Sequence, residues 1–284
     1  MKRLLLSLFS LLVLLTFTGC PPDLEGIPAF VAIDDIVFDA AGTRGGSTAA
    51  ITEVWAFSGE EFIGVFPLPA RIPILKSGPT DVRLESGVRQ NGISSTPEFY
   101  EFYRPIQQTL NLVPGETIDL GVQTTTYKSS TQFGFIEDFE PDSDRTFIEI
   151  VRGTSGLEAQ SEVIRSGTAS GVIRLDTANA EVLLSSRFTY TDLLEERPYV
   201  WLEMDFLADA PTRFGISGSV GFQLLRNFDP GFFPQPQWTK IYFNMSETIF
   251  RSEIEEYRFD LNTVLPPDLT EGEVYLDNVK LLYF

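Results

Sequence analysis

Two short stretches carry the residues best suited to chemistry. In Pro198–Leu207, Tyr199, Trp201, Glu203 and Asp205 alternate with Val200, Leu202, Met204 and Phe206. Alternation of this kind is the signature of a strand with one face in a core and one facing outward. Trp238–Phe243 repeats the pattern, with Ile241 and Phe243 directed inward and Trp238, Lys240 and Tyr242 on the opposite face. If the two outward faces line one sheet, they form a platform of aromatic rings and carboxylates. Such a platform suits a sugar, whose apolar C–H face lies on a ring while its hydroxyls bond to carboxylates and amides. The same pattern also fits a face covered by other segments, with the tryptophans simply packed. The Asn227–Trp238 segment, with Phe228, Phe232, Phe233 and three prolines, reads as a stiff lip over the platform or as a flap over the core.

Other chemistry is excluded by what the chain lacks. It has no histidine and a single cysteine, Cys20. That removes the Ser/His/Asp arrangement, the commonest general base and most zinc and haem sites. Glu203 and Asp205 form a carboxylate pair, but retaining glycoside hydrolysis needs two carboxyls about 5–5.5 Å apart in a set role. The protein is therefore read as a non-enzyme. Its 40 acidic residues against 21 basic ones, a net charge of −19, argue against nucleic acid as a partner. No cofactor is required.

The elements that must position these residues are strands. The 284 residues include 24 Phe and 9 Tyr set in short apolar alternations between Gly, Pro, Asn and Asp turns. That composition predicts an all-β protein. Residues 29–127 contain seven short candidate strands, from Phe30–Phe38 to Ile118–Thr125, and predict an Ig-like β-sandwich. The segment Gly87–Tyr103 is a longer excursion holding Phe99, Tyr100, Phe102 and Tyr103, and is expected to pack as a cover. Residues 128–133 are a polar linker. Residues 134–284 form a second β-sandwich with candidate strands at Gly171–Asp176, Glu181–Tyr190, Tyr199–Leu207, Arg213–Gly221, Trp238–Phe243 and Glu256–Leu261.

The first 28 residues are not part of either sandwich. Lys2 and Arg3 precede a mostly apolar run, Leu4–Phe17, and then Thr18-Gly19-Cys20. The run is too short to span a bilayer and has the layout of a cleaved signal. Its end resembles the lipobox of bacterial lipoproteins, which implies cleavage after residue 19 and acylation of Cys20. Acyl chains contribute about 0.8 kcal/mol per buried CH₂, so two or three anchor firmly. Residues 20–28 then form a tether. Asp23 and Glu25 resemble the surface-export signal of Bacteroidetes lipoproteins, with a solvated linker as the alternative.

Four further resemblances bear on function. Ile51-Thr52-Glu53-Val54-Trp55, Leu68-Pro69-Ala70, Gly87–Ile93 and Leu112–Glu116 are similar to segments of uncharacterised Bacteroidetes surface lipoproteins. That implies an outer-membrane lipoprotein, at the cell surface or on the periplasmic face. Phe133–Glu140 and Val274–Leu281 resemble the first and last strands of galactose-binding-like jelly rolls, the scaffold of many carbohydrate-binding modules. The jelly-roll resemblance implies a structural calcium held by Glu140 and Asp277, with Asp138 and Asp142 as helpers; ordinary edge carboxylates are the alternative. Glu203-Met204-Asp205 resembles the acidic strand of jelly-roll glucanases but has Ala208 where the third acid belongs. Asp176-Thr177-Ala178 resembles a Bacteroidetes O-glycosylation site. Together these give two expectations: a lipid-anchored glycan-binding protein, or a structural or assembly lipoprotein that binds another envelope protein.

Overall fold

The computed structural model describes residues 26–43, 45–93 and 95–284. The signal, Cys20 and most of the tether lie outside the described residues. The chain is nearly all β, as expected, and its sheets are of sandwich type.

The first half builds its sheets from ten strands. β1 (Ala29–Ile33) lies between β5 (Ala70–Ile74) and β9 (Thr117–Asp119). β2 (Asp35–Phe38) pairs with β10 (Val122–Thr125). The remaining sheet runs β4 (Glu61–Pro67), β3 (Glu53–Ser58), β6 (Gly78–Arg89), with β7 (Pro97–Phe99) and β8 (Ile106–Leu112) sharing the far side of β6. Val31, Ile33, Ile72 and Ile74 from the first sheet pack with Val54, Ala56, Val82 and Leu84 from the last in one buried cluster. β6 runs well beyond the short apolar alternation of Asp81–Leu84. β6 continues to Arg89 because β3 and β7 satisfy its backbone there.

The second half stacks two larger sheets. One runs β13 (Glu158–Gln160), β14 (Ser170–Asp176), β21 (Glu271–Tyr283), β16 (Trp201–Ala208), β19 (Gln235–Asn244), with β11 (Gln132–Glu137) also on β21. The other runs β12 (Phe147–Arg152), β15 (Glu181–Ser186), β20 (Tyr257–Val264), β17 (Thr212–Val220), β18 (Gln223–Phe232). Leu202, Met204, Phe206 and Ile241 face Val182, Leu184, Phe214, Ile216, Phe259 and Leu261 in the largest core. A short helix, α1 (Ser246–Ser252), follows β19. Among the described residues no helix is long and apolar enough to cross a membrane.

The Asn227–Trp238 segment is not a loop. Most of it is strand, shared between the end of β18 and the start of β19. Phe232 is buried and stacks on Phe206 at 3.9 Å, Phe228 is half-buried, and Phe233 is exposed. The prolines argue for a lip, but Pro230 and Pro236 lie in strands at sheet edges, where a missing N–H costs no ladder bond, and Pro234 lies between those strands.

A third buried cluster joins the two halves. Phe38, Val88, Tyr100, Phe102, Tyr103 and Tyr127 from the first half pack with Trp201, Tyr242, Leu282 and Phe284 from the second.

Candidate binding face

The second sandwich has two outward faces, one on each sheet. The sequence pointed to the face of β16, β19 and β21. The strand register does gather its residues there. Glu203 lies opposite Tyr242 on one side and Lys280 on the other, and Asp205 lies opposite Lys240 and Asp277. A bulge separates Asp277 from Lys280, with Asn278 in the left-handed region at φ 51°, which Asn tolerates.

This face is covered, which corrects the expectation of an open platform. Trp201 is 2% exposed, and Glu203 and Asp205 are 0% exposed. Tyr100 stands edge-on to Trp201 at 5.3 Å and to Tyr242 at 5.0 Å. Glu203 accepts hydrogen bonds from the hydroxyls of Tyr100, at 3.0 Å, and Tyr127. Lys280 Nζ lies 3.2 Å and Lys240 Nζ 3.6 Å from its carboxylate. Asp205 accepts from Thr48 Oγ1 at 2.5 Å, Asn278 Nδ2 at 3.0 Å and Arg165 Nε at 3.2 Å. Tyr242 Oη accepts the backbone N–H of Ala50 at 3.0 Å. Gly45, at φ 82°, lets its segment lie directly on Lys280, since a Cβ there would fall 2.5 Å from Lys280 Cε.

Five of the seven expected ligand residues, Trp201, Glu203, Asp205, Lys240 and Tyr242, are thus buried in the junction between the halves. Tyr199 borders it against Phe284, and Trp238 is half-buried near Tyr275. The physical reason is that alternation shows that a face is rich in rings and charges, not what lies against it. The aromatic excursion Gly87–Tyr103 does act as a cover, and this is the face it covers.

The electrostatics match a sealed junction. Burial opposes the charge on Glu203, but Lys240, Lys280 and the two tyrosine hydroxyls hold its carboxyl below the usual range. Burial pushes Lys280 down to about 8, with Glu203 opposing the shift. Burial raises Asp277 to about 7 and nearby Asp205 adds to the rise, while the amides of Ser166 and Asn278 oppose it.

The expected calcium pair does not form a cation cage as arranged. Glu140 accepts from Thr168 N–H at 2.6 Å and from the Thr168 hydroxyl. Asp277 accepts from Ser166 N–H at 3.0 Å and Asn278 N–H at 2.7 Å. The two carboxylates therefore bind the 166–169 segment through its own donors. Calcium takes 6–8 oxygens, and among the described residues no three acidic, histidine or cysteine side chains are grouped to hold a metal.

The other outward face, on β12–β15–β20–β17–β18, is open. A groove of about 510 Å³ runs over it, lined by Ser185, Ser217, Ser219, Leu224, Arg226 and Arg258, with Glu149 and Val151 at the β12 side. Register explains the gathering. Ser217 of β17 lies opposite Arg226 of β18 and Arg258 of β20. In the neighbouring row Glu149 lies opposite Ser185, which lies opposite Asp260. Asp260 is wholly buried beneath the groove. It accepts from Ser185 Oγ at 2.6 Å and Ser217 Oγ at 3.0 Å, and pairs with Arg226. Arg258 pairs with Glu149 across the strands. Gly215 allows β18 to close on this row, because a Cβ there would collide with the Asn227 carbonyl.

The same face continues towards the other end of the sheet. A second recess of about 400 Å³ is lined by Arg213, Phe228, Phe233, Asn262 and Val264. Arg213 donates to Asn262 Oδ1 at 3.3 Å, and its guanidinium lies 5.7 Å from the Phe228 ring centre. Sequence reasoning missed this face. The signal was present in Arg258-Phe259-Asp260-Leu261-Asn262, where polar residues alternate with core residues, and in Ser217 and Ser219 of the neighbouring strand.

No family model matches the chain, and no curated protein matches it. Solved structures similar to it include one from work on promiscuous carbohydrate-binding modules of the β-sandwich superfamily. It has 15% identity and a TM-score of 0.41 over 89% of this chain and 98% of that one. A family 30 carbohydrate-binding module from a Clostridium thermocellum cellulosomal cellulase has 12% identity and a TM-score of 0.38, covering 55% of this chain and 94% of its own. A protein solved with a xylogluco-oligosaccharide has 11% identity and a TM-score of 0.33, covering 91% of this chain and 74% of its own.

Proposed function

We propose that the protein is a non-catalytic, lipid-anchored component of the outer membrane that binds a glycan across the outer face of β12–β15–β20–β17–β18. The observation that carries this reading is the open groove above Asp260. Buried Asp260 fixes Arg226, Ser185 and Ser217 before any ligand arrives, so little side-chain freedom is lost on binding. Planar guanidiniums offer several donors, and serine hydroxyls both donate and accept. Sugar hydroxyls need that mixture. Leu224, Val151 and Phe228 supply apolar surface beside it for the C–H faces of the rings. Glu149 and Asp260 each face a guanidinium, which suits binding better than proton transfer.

The test is a glycan array probed with the full chain, followed by titration of any retained glycan. A hydrogen bond to a charged group contributes about 1.5–3 kcal/mol. Arg258→Ala should therefore weaken binding about tenfold or more, with an unchanged melting temperature. Equal affinity in wild type and variant would count against the site. Acylation is tested separately, by mass spectrometry of the native N-terminus, which should carry its lipid on Cys20.

One feature favours a second reading, attachment to another envelope protein. Phe222, at the tip of the β17–β18 hairpin, is wholly exposed, with Leu224 beside it. A stoichiometric protein partner in solubilised membranes, lost in Phe222→Ser and accompanied by no sugar affinity, would establish that reading instead.

A further inference from the structure

We infer that the apolar end of the first sandwich, formed by Ile27, Phe62, Leu75 and Val113, rests on the lipid surface that holds the anchor. This inference goes beyond glycan binding and rests on acylation of Cys20. Ile27 is 69% exposed, Leu75 68%, Phe62 51% and Val113 40%. Isolated exposed hydrophobes are ordinary, whereas adjoining ones mark a contact.

All four gather around the start of the described chain at Gly26–Pro28. A recess of about 550 Å³ is lined by Gly26, Pro28, Phe62, Ile63 and Leu75. A Cβ on Gly26 would lie 3.8 Å from Leu75 Cδ2, and one on Gly115 would lie 3.8 Å from Ile27 Cγ2. Gly115 N–H also donates to the Pro28 carbonyl at 2.9 Å, which brings the Val113 turn against the start of the chain.

The length of chain outside the described residues selects the occupant. Five residues separate Cys20 from Gly26, and the six steps between them span at most about 20 Å when fully extended. An acylated Cys20 therefore keeps this patch close to the bilayer surface, because Gly26 itself lines the recess. Part of the charge beside the patch is neutralised. The chain as a whole is strongly acidic, but Glu61 beside the patch is paired with Lys76 at 3.1 Å. Contact driven by apolar surface in this way is insensitive to salt.

The experiment uses the acylated full-length chain in vesicles of phosphatidylethanolamine and phosphatidylglycerol. The only native sulfhydryl is consumed by the lipid, so an introduced cysteine is unique. Leu75→Cys, and independently Ile27→Cys, would carry an environment-sensitive fluorophore. Phe222→Cys, more exposed but on the other sandwich, is the control. The expected result is emission at shorter wavelength at positions 75 and 27, quenched by spin-labelled lipid and unchanged by high salt, with position 222 remaining in water. Labels at 75 and 27 that match the one at 222 overturn the inference while leaving the anchor intact. A chain that does not float with the vesicles overturns the anchor and this inference together.

Discussion

The two outward faces of the second sandwich are built alike and end differently. Each presents polar residues at alternate positions of central strands, and each holds a wholly buried aspartate or glutamate at its centre. On the β16–β19–β21 face, Glu203 and Asp205 are answered by Lys240 and Lys280 and roofed by Tyr100, Tyr103 and Tyr127. On the β12–β15–β20–β17–β18 face, Asp260 is answered by Arg226 and two serines, and no segment lies above them among the described residues. The comparison teaches that the strand pattern makes a face suitable for contact, while topology decides whether the contact is internal. Lysine and glutamate buried in direct contact fit a permanent joint. Arginine and serine at a groove floor leave donors directed outward.

The contrast can be broken first at the joint. Glu203→Ala leaves Lys240 and Lys280 buried without their shared partner, and removing one member of a buried ion pair costs about 3–5 kcal/mol. Chemical denaturation should show a loss of that size. Glu149→Ala, on the open face, should change stability by no more than about 1 kcal/mol. Equal effects at the two positions would mean that the joint is not sealed.

The next effect depends on pH. Asp277 has a folded-state value near 7, raised by burial, against an ordinary value of 3.8. A raised carboxyl means that the folded chain binds the proton more tightly than the unfolded chain. Its contribution is fully present below about pH 4 and is lost as pH rises to about 7. Asp277→Asn should flatten the dependence of melting temperature on pH between those limits. A variant that keeps the wild-type slope would assign the slope to other groups. Lys280 acts at higher pH with the opposite sign. Its value is depressed to about 8, so its contribution is present above about pH 10.5 and is lost as pH falls towards 8.

A smaller change should come from Tyr100→Phe, which keeps the ring contacts with Trp201 and Tyr242 but removes one donor to Glu203. The net value of a hydrogen bond to a charged group is about 1.5–3 kcal/mol. Because Tyr127 and two lysines remain on Glu203, a loss at or below the low end is expected in the same denaturation assay. The smallest effect belongs to Arg152→Ala, which removes an exposed pair with Glu181 and should cost under about 1 kcal/mol.

Much of the architecture was legible in the residues. Alternation placed β14, β16, β17 and β19 close to where they lie, because each has one face in a core. Strands without that contrast were not legible. β12, with Ile148, Ile150 and Val151 all exposed, gives no alternation to read. β18 was hidden behind Pro230 and the prolines that follow it. The candidate site was less legible than the fold. Trp201 and Trp238 drew attention because tryptophan is scarce, yet what covers Trp201 is Tyr100, about a hundred positions earlier in the chain. No local pattern encodes that distance. Asp260 gave a weaker signal, a charged residue within an otherwise core-forming strand, and it is the one that marks the open face.

On the proposed reading, ligand meets the open face and not the joint. Isothermal titration of an array-selected glycan against Ser219→Trp and Trp238→Ala tests it most directly. Ser219 is exposed in the groove, and Trp238 is half-buried on the other sheet. Filling the groove at Ser219 should abolish binding, while Trp238→Ala should leave the affinity unchanged. Binding that survives Ser219→Trp and fails in Trp238→Ala, or an array on which no glycan is retained, would contradict the account.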